Sequence, residues 1–113
     1  MTYNLFLDDI RTIEMVYKDK TEKDFVVVRT CQDFIETIKQ KGLPEFISFD
    51  NDLGLDENGE VAPDGYAAAK WLVYESGLDI RNLQFSVHSA NPVAKQQIQS
   101  LLENYIKHLK ESI

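Results

Sequence analysis

The stretch Phe46-Ile47-Ser48-Phe49-Asp50-Asn51-Asp52-Leu53-Gly54 is an apolar run that stops abruptly at two carboxylates and a glycine. In open α/β sheets ligands bind beyond the carboxyl ends of the strands, so a buried strand that delivers acids at its end delivers them to a site. The beginning of the chain has the same grammar, because Leu5-Phe6-Leu7 runs straight into Asp8-Asp9. A chain carrying two such strands is expected to fold so that the acid-bearing ends meet.

The remaining elements follow from periodicity. Residues 3–7 alternate and then become fully apolar, and residues 25–29 are rich in β-branched side chains. Both read as strands buried on two faces. Residues 83–87 make a fourth strand that ends in His88-Ser89-Ala90-Asn91. Cys31, Phe34, Ile35 and Ile38 fall on one helical face behind a Thr30 cap, and Gly42 with Pro44 stops that helix. Asp64-Gly65 opens another helix, with Ala68, Trp71, Leu72 and Tyr74 turned inward and Gly77 at its close. Asn91-Pro92 starts the last helix, whose Ile98, Leu101, Leu102, Tyr105, Ile106 and Leu109 keep the i, i+3, i+4, i+7 pattern. Residues 10–24 are polar and mixed and specify no amphipathic helix. Residues 55–63 form a polar loop rich in turn formers, of the kind that covers a ligand at a strand's end.

Strands interleaved with helices imply βαβ units and an α/β fold. The expected architecture is a flavodoxin-like three-layer sandwich over a single domain, residues 1–113. Its mainly parallel sheet has about four strands in the order 2-1-3-4, and a long helix ends the chain. In that order strands 1 and 3 are neighbours, and the winding reverses between their C-terminal ends. Asp8, Asp9, Asp50 and Asp52 then converge.

Composition narrows the function. With 43% hydrophobic and 27% charged residues the chain is globular, and it contains no signal-like stretch and nothing resembling a membrane span. A soluble, cytoplasmic protein without a membrane partner is expected. The single cysteine, Cys31, forms no internal disulfide and lacks the paired spacing of a zinc site. A net charge of −7 argues against an extended nucleic-acid duplex as partner, which needs clustered Lys and Arg. Acids gathered at close range repel unless a cation or protons sit among them, which points to a metal. The competing reading is an acidic surface that only aids solubility.

Asp8, Asp9 and Asp50 make a hard oxygen set suited to Mg²⁺ or Mn²⁺. Asp52 is read as a supporting or loop-setting acid. Asp64 before Gly65 is read as a helix cap, with a supporting role at the site as the minority alternative. His88 and Ser89 end strand 4 beside strand 3 and open onto the same edge, where a histidine can move a proton near neutral pH. Asn91 caps the last helix, and the N–H groups of residues 93–95 behind it suit an anion. Lys95 either adds a point charge there or is solvated. Arg11 either forks onto a phosphate or pairs with an acid.

Leu5-Phe6-Leu7-Asp8-Asp9-Ile10-Arg11, the 48–54 segment, Asp64-Gly65-Tyr66 and His88-Ser89-Ala90-Asn91-Pro92-Val93 together resemble the cyclic-phosphate-processing receiver-like family, divergent relatives of response-regulator receivers. The resemblance spans nearly the whole chain. It implies a receiver-like fold that keeps the acid pocket, with Asp8 and Asp9 at the metal-binding positions and Asp50 at the phosphoacceptor position. It departs from an ordinary receiver in three ways: a His-Ser-X-Asn motif stands in place of the strand-4 Ser/Thr, the lysine after strand 5 is missing, and no fifth strand is evident. Members of the family often carry His where this chain has Asn51 and Gly where it has Ala94.

The function expected on these grounds is metal-dependent hydrolysis of a cyclic or terminal phosphate on a nucleotide or RNA end. Asp50, His88 and Ser89 would be catalytic, and Arg11, Asn91 and Lys95 would bind phosphate. Asp50 is either a metal ligand or a nucleophile. The alternative is a non-enzymatic receiver-like signalling or binding module, phosphorylated on Asp50.

Overall fold

The computed structural model describes residues 2–111. Its strands are β1 (Asn4–Leu7), β2 (Val26–Val28), β3 (Phe46–Phe49) and β4 (Gln84–Val87). Its helices are α1 (Ile13–Val16), α2 (Cys31–Lys41), α3 (Gly65–Tyr74) and α4 (Pro92–Glu111), with a 3-10 turn over Glu22–Asp24. All the strand pairs are parallel and the order is β2-β1-β3-β4, the order expected for this winding. Leu7 pairs with Val28 on one side and Phe49 on the other, and Phe49 pairs with Val87.

Alternation within the strands divides the core in two. Leu5, Leu7, Ile47 and Phe49 face α2, α3 and α4, where Phe34, Ile38, Leu72, Ile98 and Leu102 are buried against them. Burying side chains of this size contributes roughly 1.5–3 kcal/mol each. Phe6 belongs to the opposite face, in a smaller cluster with Ile13 and Phe25 that Tyr17, Val27 and Phe46 complete. The three layers are therefore unequal. One face carries three helices, whereas the other is covered by residues 10–25, which contain only a four-residue helix and a 3-10 turn. Four residues with one buried side chain, Ile13, are too few to display a helical period, which is why this crossover has no clear signature in the sequence.

The polar loop after β3 is more ordered than its composition suggests. Leu55 and Val61 form an antiparallel bridge, and Asp56 Oδ1 accepts the N–H groups of Asn58 and Glu60. Gly54 leads into it with φ +78°, a left-handed conformation that favours glycine. A Cβ there would also sit 3.1 Å from Asp9 Oδ2. Among the described residues, no helix is long and apolar enough to cross a membrane.

Candidate functional site

Carried one residue past the last pair in each strand, the sheet register sets Arg29, Asp8, Asp50 and His88 side by side in strand order. Backbone bonds continue the ladder into this row: Asp8 N–H to the Val28 carbonyl, Asp50 N–H to Leu7 and His88 N–H to Phe49, at 3.2, 2.9 and 2.8 Å. The row is thus a product of parallel pairing. One ligand atom each from Asp8, Asp50 and His88 lie within 4.8 Å of one another.

Asp8 is fully buried, and its acceptor positions are filled. Oδ1 accepts the N–H groups of Ile10 at 3.0 Å and Arg11 at 2.8 Å. Oδ2 accepts Arg11 Nη1 at 3.1 Å and His88 Nε2 at 2.9 Å. Burial alone would raise the pKa of this carboxyl, but these four donors outweigh it and hold Asp8 below its ordinary value.

An ionised carboxylate only accepts, so His88 Nε2 carries the hydrogen and Nδ1 is left as an acceptor. Ser48 Oγ, 2.7 Å away, donates to Nδ1, and Tyr17 OH donates in turn to Ser48 Oγ at 2.7 Å. The polarity of the chain Tyr17, Ser48, His88, Asp8 follows from its carboxylate end. Burial lowers the pKa of His88 against the pull of Asp8, which keeps the ring neutral near pH 7. The ring stacks on Phe6 at 4.8 Å between centroids. Truncating Ser48 to alanine strands two polar groups at once, so Ser48→Ala is expected to cost about 2 kcal/mol in urea unfolding. A loss under about 0.5 kcal/mol, the scale of an ordinary surface change, would show that the relay is not needed for folding.

Arg11 Nη1 also approaches Asp50 Oδ1, at 3.5 Å. Arg29 braces this loop from β2, donating through Nη1 to the carbonyls of Asp8 at 2.9 Å and Arg11 at 2.6 Å. Asp50 is buried, and its carboxyl is pushed up to about 6, first by burial and then by the charge of Asp8. Arg11 only partly offsets this. Above the row lies a cleft of about 220 Å³ lined from three strand ends. Asp9, Ile10 and Arg11 come from beyond β1, Asp50, Asp52 and Gly54 from beyond β3, and Ser89, Ala90 and Asn91 from beyond β4.

Residues 3–104 match the cyclic-phosphate processing receiver domain. The chain belongs to that family. Among curated proteins the comparison finds no match. Among solved structures, a chain described as the yeast Spc42 trimeric coiled coil, amino acids 181–211, fused to another structure is similar, with a TM-score of 0.56 at 16% identity. The match covers 96% of this chain and 78% of that one, and at such identity it speaks for the fold alone.

Within this receiver fold the residues singled out from the sequence separate into groups. Asp9, Asp50, Asp52, Arg11, Ser89 and Asn91 line the cleft. Asp8 and His88 stand in the row but do not line the cleft, and both nitrogens of His88 are engaged inside the protein. Arg11 pairs with two acids, the second of its expected alternatives, and also lines the cleft. Asp64 caps α3 by accepting the Ala67 N–H at 2.9 Å, and Lys95 is exposed on α4 outside the cleft lining.

The anion site expected at the start of α4 needs correcting. The N–H groups of Val93 and Ala94 donate to Asn91 Oδ1 and that of Lys95 to the Asn91 carbonyl, so the cap itself consumes the donors. Asn51 is buried and ties the strand end to α3 by accepting the Tyr66 N–H on its side chain.

Four participants were not singled out from the sequence: Ser48, Tyr17, Arg29 and Phe6. A signal existed for two of them. Ser48 is a hydroxyl inside an apolar strand, two residues before Asp50 and so on the same face. Arg29 follows β2 as Asp8 follows β1.

Proposed function

We propose that the cleft binds and hydrolyses a cyclic or terminal phosphate on a nucleotide or RNA end, with Mg²⁺ or Mn²⁺ as cofactor. The family supports a role in cyclic-phosphate processing. The observation that carries the finer reading is that three acids, a guanidinium and two neutral hydrogen-bonding side chains line one small cleft. At about 220 Å³ it falls below the roughly 300–1,000 Å³ of pockets that enclose a drug-sized ligand. It therefore suits the phosphate, with the rest of the nucleotide lying outside.

A hard divalent cation fits the donor set. Asp9 and Asp50 offer carboxylate oxygens to the cleft, and Asp8 Oδ2, held by Arg11 and His88, would join them only where Arg11 gives way. Asp50 is raised first by burial and then by the charge of Asp8, with Arg11 only partly offsetting both. When bound, such an ion polarises a phosphoryl oxygen and offsets its charge. The protein's own groups supply orientation. Arg11 forks onto non-bridging oxygens, and Ser89 and Asn91 fix the opposite side of the phosphate. His88 holds Asp8 in place, and the neutral ring adds no positive charge to the row.

The test is incubation with Mg²⁺ or Mn²⁺ and 2′,3′-cyclic nucleotides, 3′,5′-cyclic nucleotides or RNA bearing a cyclic phosphate end. Turnover is expected for at least one substrate and is lost in Asp50→Asn. No turnover on any of them would overturn the hydrolase reading. The position of Asp50 at the end of β3 also supports the second reading, a receiver-like module phosphorylated there. That reading predicts an acyl phosphate from a small phosphodonor, absent in Asp50→Asn, without cyclic-phosphate turnover.

A further inference from the structure

The Arg11 guanidinium faces two carboxylates at once, with Nη1 3.1 Å from Asp8 Oδ2 and 3.5 Å from Asp50 Oδ1. It fills the acceptor positions through which those acids would share a cation. Its backbone is held from two sides, because Asp8 Oδ1 accepts the Arg11 N–H and Arg29 donates to the Arg11 carbonyl. The side chain is anchored through its head, is 30% exposed and lines the cleft. A fixed backbone with an accessible charged head is the geometry of a counter-ion that can turn without unfolding its loop.

We propose that Arg11 is a tethered counter-ion filling the gap between Asp8 and Asp50, acids that would hold a divalent cation, and that its guanidinium would turn into the cleft to meet the phosphate when those acids take up a metal. This rests on the metal reading above and deepens it. Like charges exclude one another at this range, so guanidinium and metal occupy the gap between the two acids by turns. Asp8 and Asp50 together bring two negative charges to this gap and Arg11 only one positive, so a divalent charge there would balance them better. Because the departure of Arg11 both admits the metal and arms the phosphate site, each ligand strengthens the other, as linkage requires.

The experiment titrates Mn²⁺ into the wild-type protein, Arg11→Gln, Arg11→Ala and Asp50→Asn, with free Mn²⁺ counted by electron paramagnetic resonance. It is then repeated with inorganic phosphate present. Arg11→Gln keeps a hydrogen-bond donor without the charge and guards against a loss of fold, which far-UV circular dichroism monitors.

Both Arg11 variants are expected to bind Mn²⁺ roughly tenfold tighter than wild type, the scale set by removing one adjacent unit charge. Phosphate is expected to tighten Mn²⁺ binding in wild type and to do so less in either Arg11 variant. Arg11 variants that bind Mn²⁺ no tighter than wild type would overturn the inference while leaving the metal reading intact. Equal tightening by phosphate in all the binding proteins would overturn the handover of Arg11. Absence of binding that depends on Asp50 in every protein would remove both readings.

Discussion

Asp50→Asn is expected to stabilise the protein by about 3 kcal/mol at pH 7 to 8 and, under the hydrolase proposal, to abolish turnover. The carboxyl is raised from 3.8 to about 6 by burial and by Asp8. Each pKa unit corresponds to about 1.4 kcal/mol, so the ionised group costs about 3 kcal/mol in the folded state. The sign follows from proton counting. Between pH 4 and 6 the folded protein holds this proton more tightly than the unfolded chain, so the contribution of Asp50 to stability falls as pH rises, and the cost is complete above pH 6.

Asparagine removes that cost, so the gain over wild type should be large at pH 8 and vanish below pH 4. His88 titrates in the opposite sense. Kept neutral by burial, it destabilises the fold as pH drops below 6.5, but it does so in both proteins and cancels from the comparison. Urea denaturation of the two proteins at pH 4, 6 and 8 measures the difference, and a flat difference would show that Asp50 is not strained by its charge.

Gly65→Ala is expected to destabilise by about 3 kcal/mol or more, at the upper end of overpacking effects. A Cβ on Gly65 would lie 1.8 Å from the Asp50 carbonyl oxygen, 2.9 Å from its carbon and 3.0 Å from Asn51 Cα. All three are backbone atoms, so no rotamer change relieves the contact. The Gly65 N–H donates to the Asn51 carbonyl at 2.8 Å, which pins the first turn of α3 to the segment that carries Asp50. Alanine must push the helix and that segment apart, moving a cleft carboxylate together with part of the core. Thermal unfolding measures the loss, and a drop of less than about 1 kcal/mol would show that the close approach is dispensable.

These two residues show what the sequence discloses and what it hides. Asp50 is legible because a buried strand ending in acid is rare without a purpose, and the strand order follows from parallel βαβ winding. The cap at Asp64 and the stripe on α4 are equally readable, since each depends on residues a few positions apart.

His88 was expected to open onto a ligand, yet its ring lies on the face shared by Phe6 and Ser48 and is enclosed there. Composition around His88 carries no information about this, whereas strand alternation combined with the register does. Arg29 offers only its place after β2, by analogy with Asp8, and Tyr17 has no local pattern at all. Arg29 follows a three-residue strand, and Tyr17 sits in a crossover too short to display a period. The need for glycine at position 65 lies in a contact with a strand end fifteen residues earlier, which helix propensity cannot register.

Asp8 is tied to His88 across 80 residues of chain. Closing a loop of that length costs about 4 kcal/mol of chain entropy before any contact rewards it, so the bond cannot form early on the strength of its two partners alone. It forms only when β4 docks beside β3. During synthesis the first acid pair emerges long before the histidine that anchors it, and until then Asp8 has only local donors. Assembly of the acid row is therefore a record that the last strand has arrived.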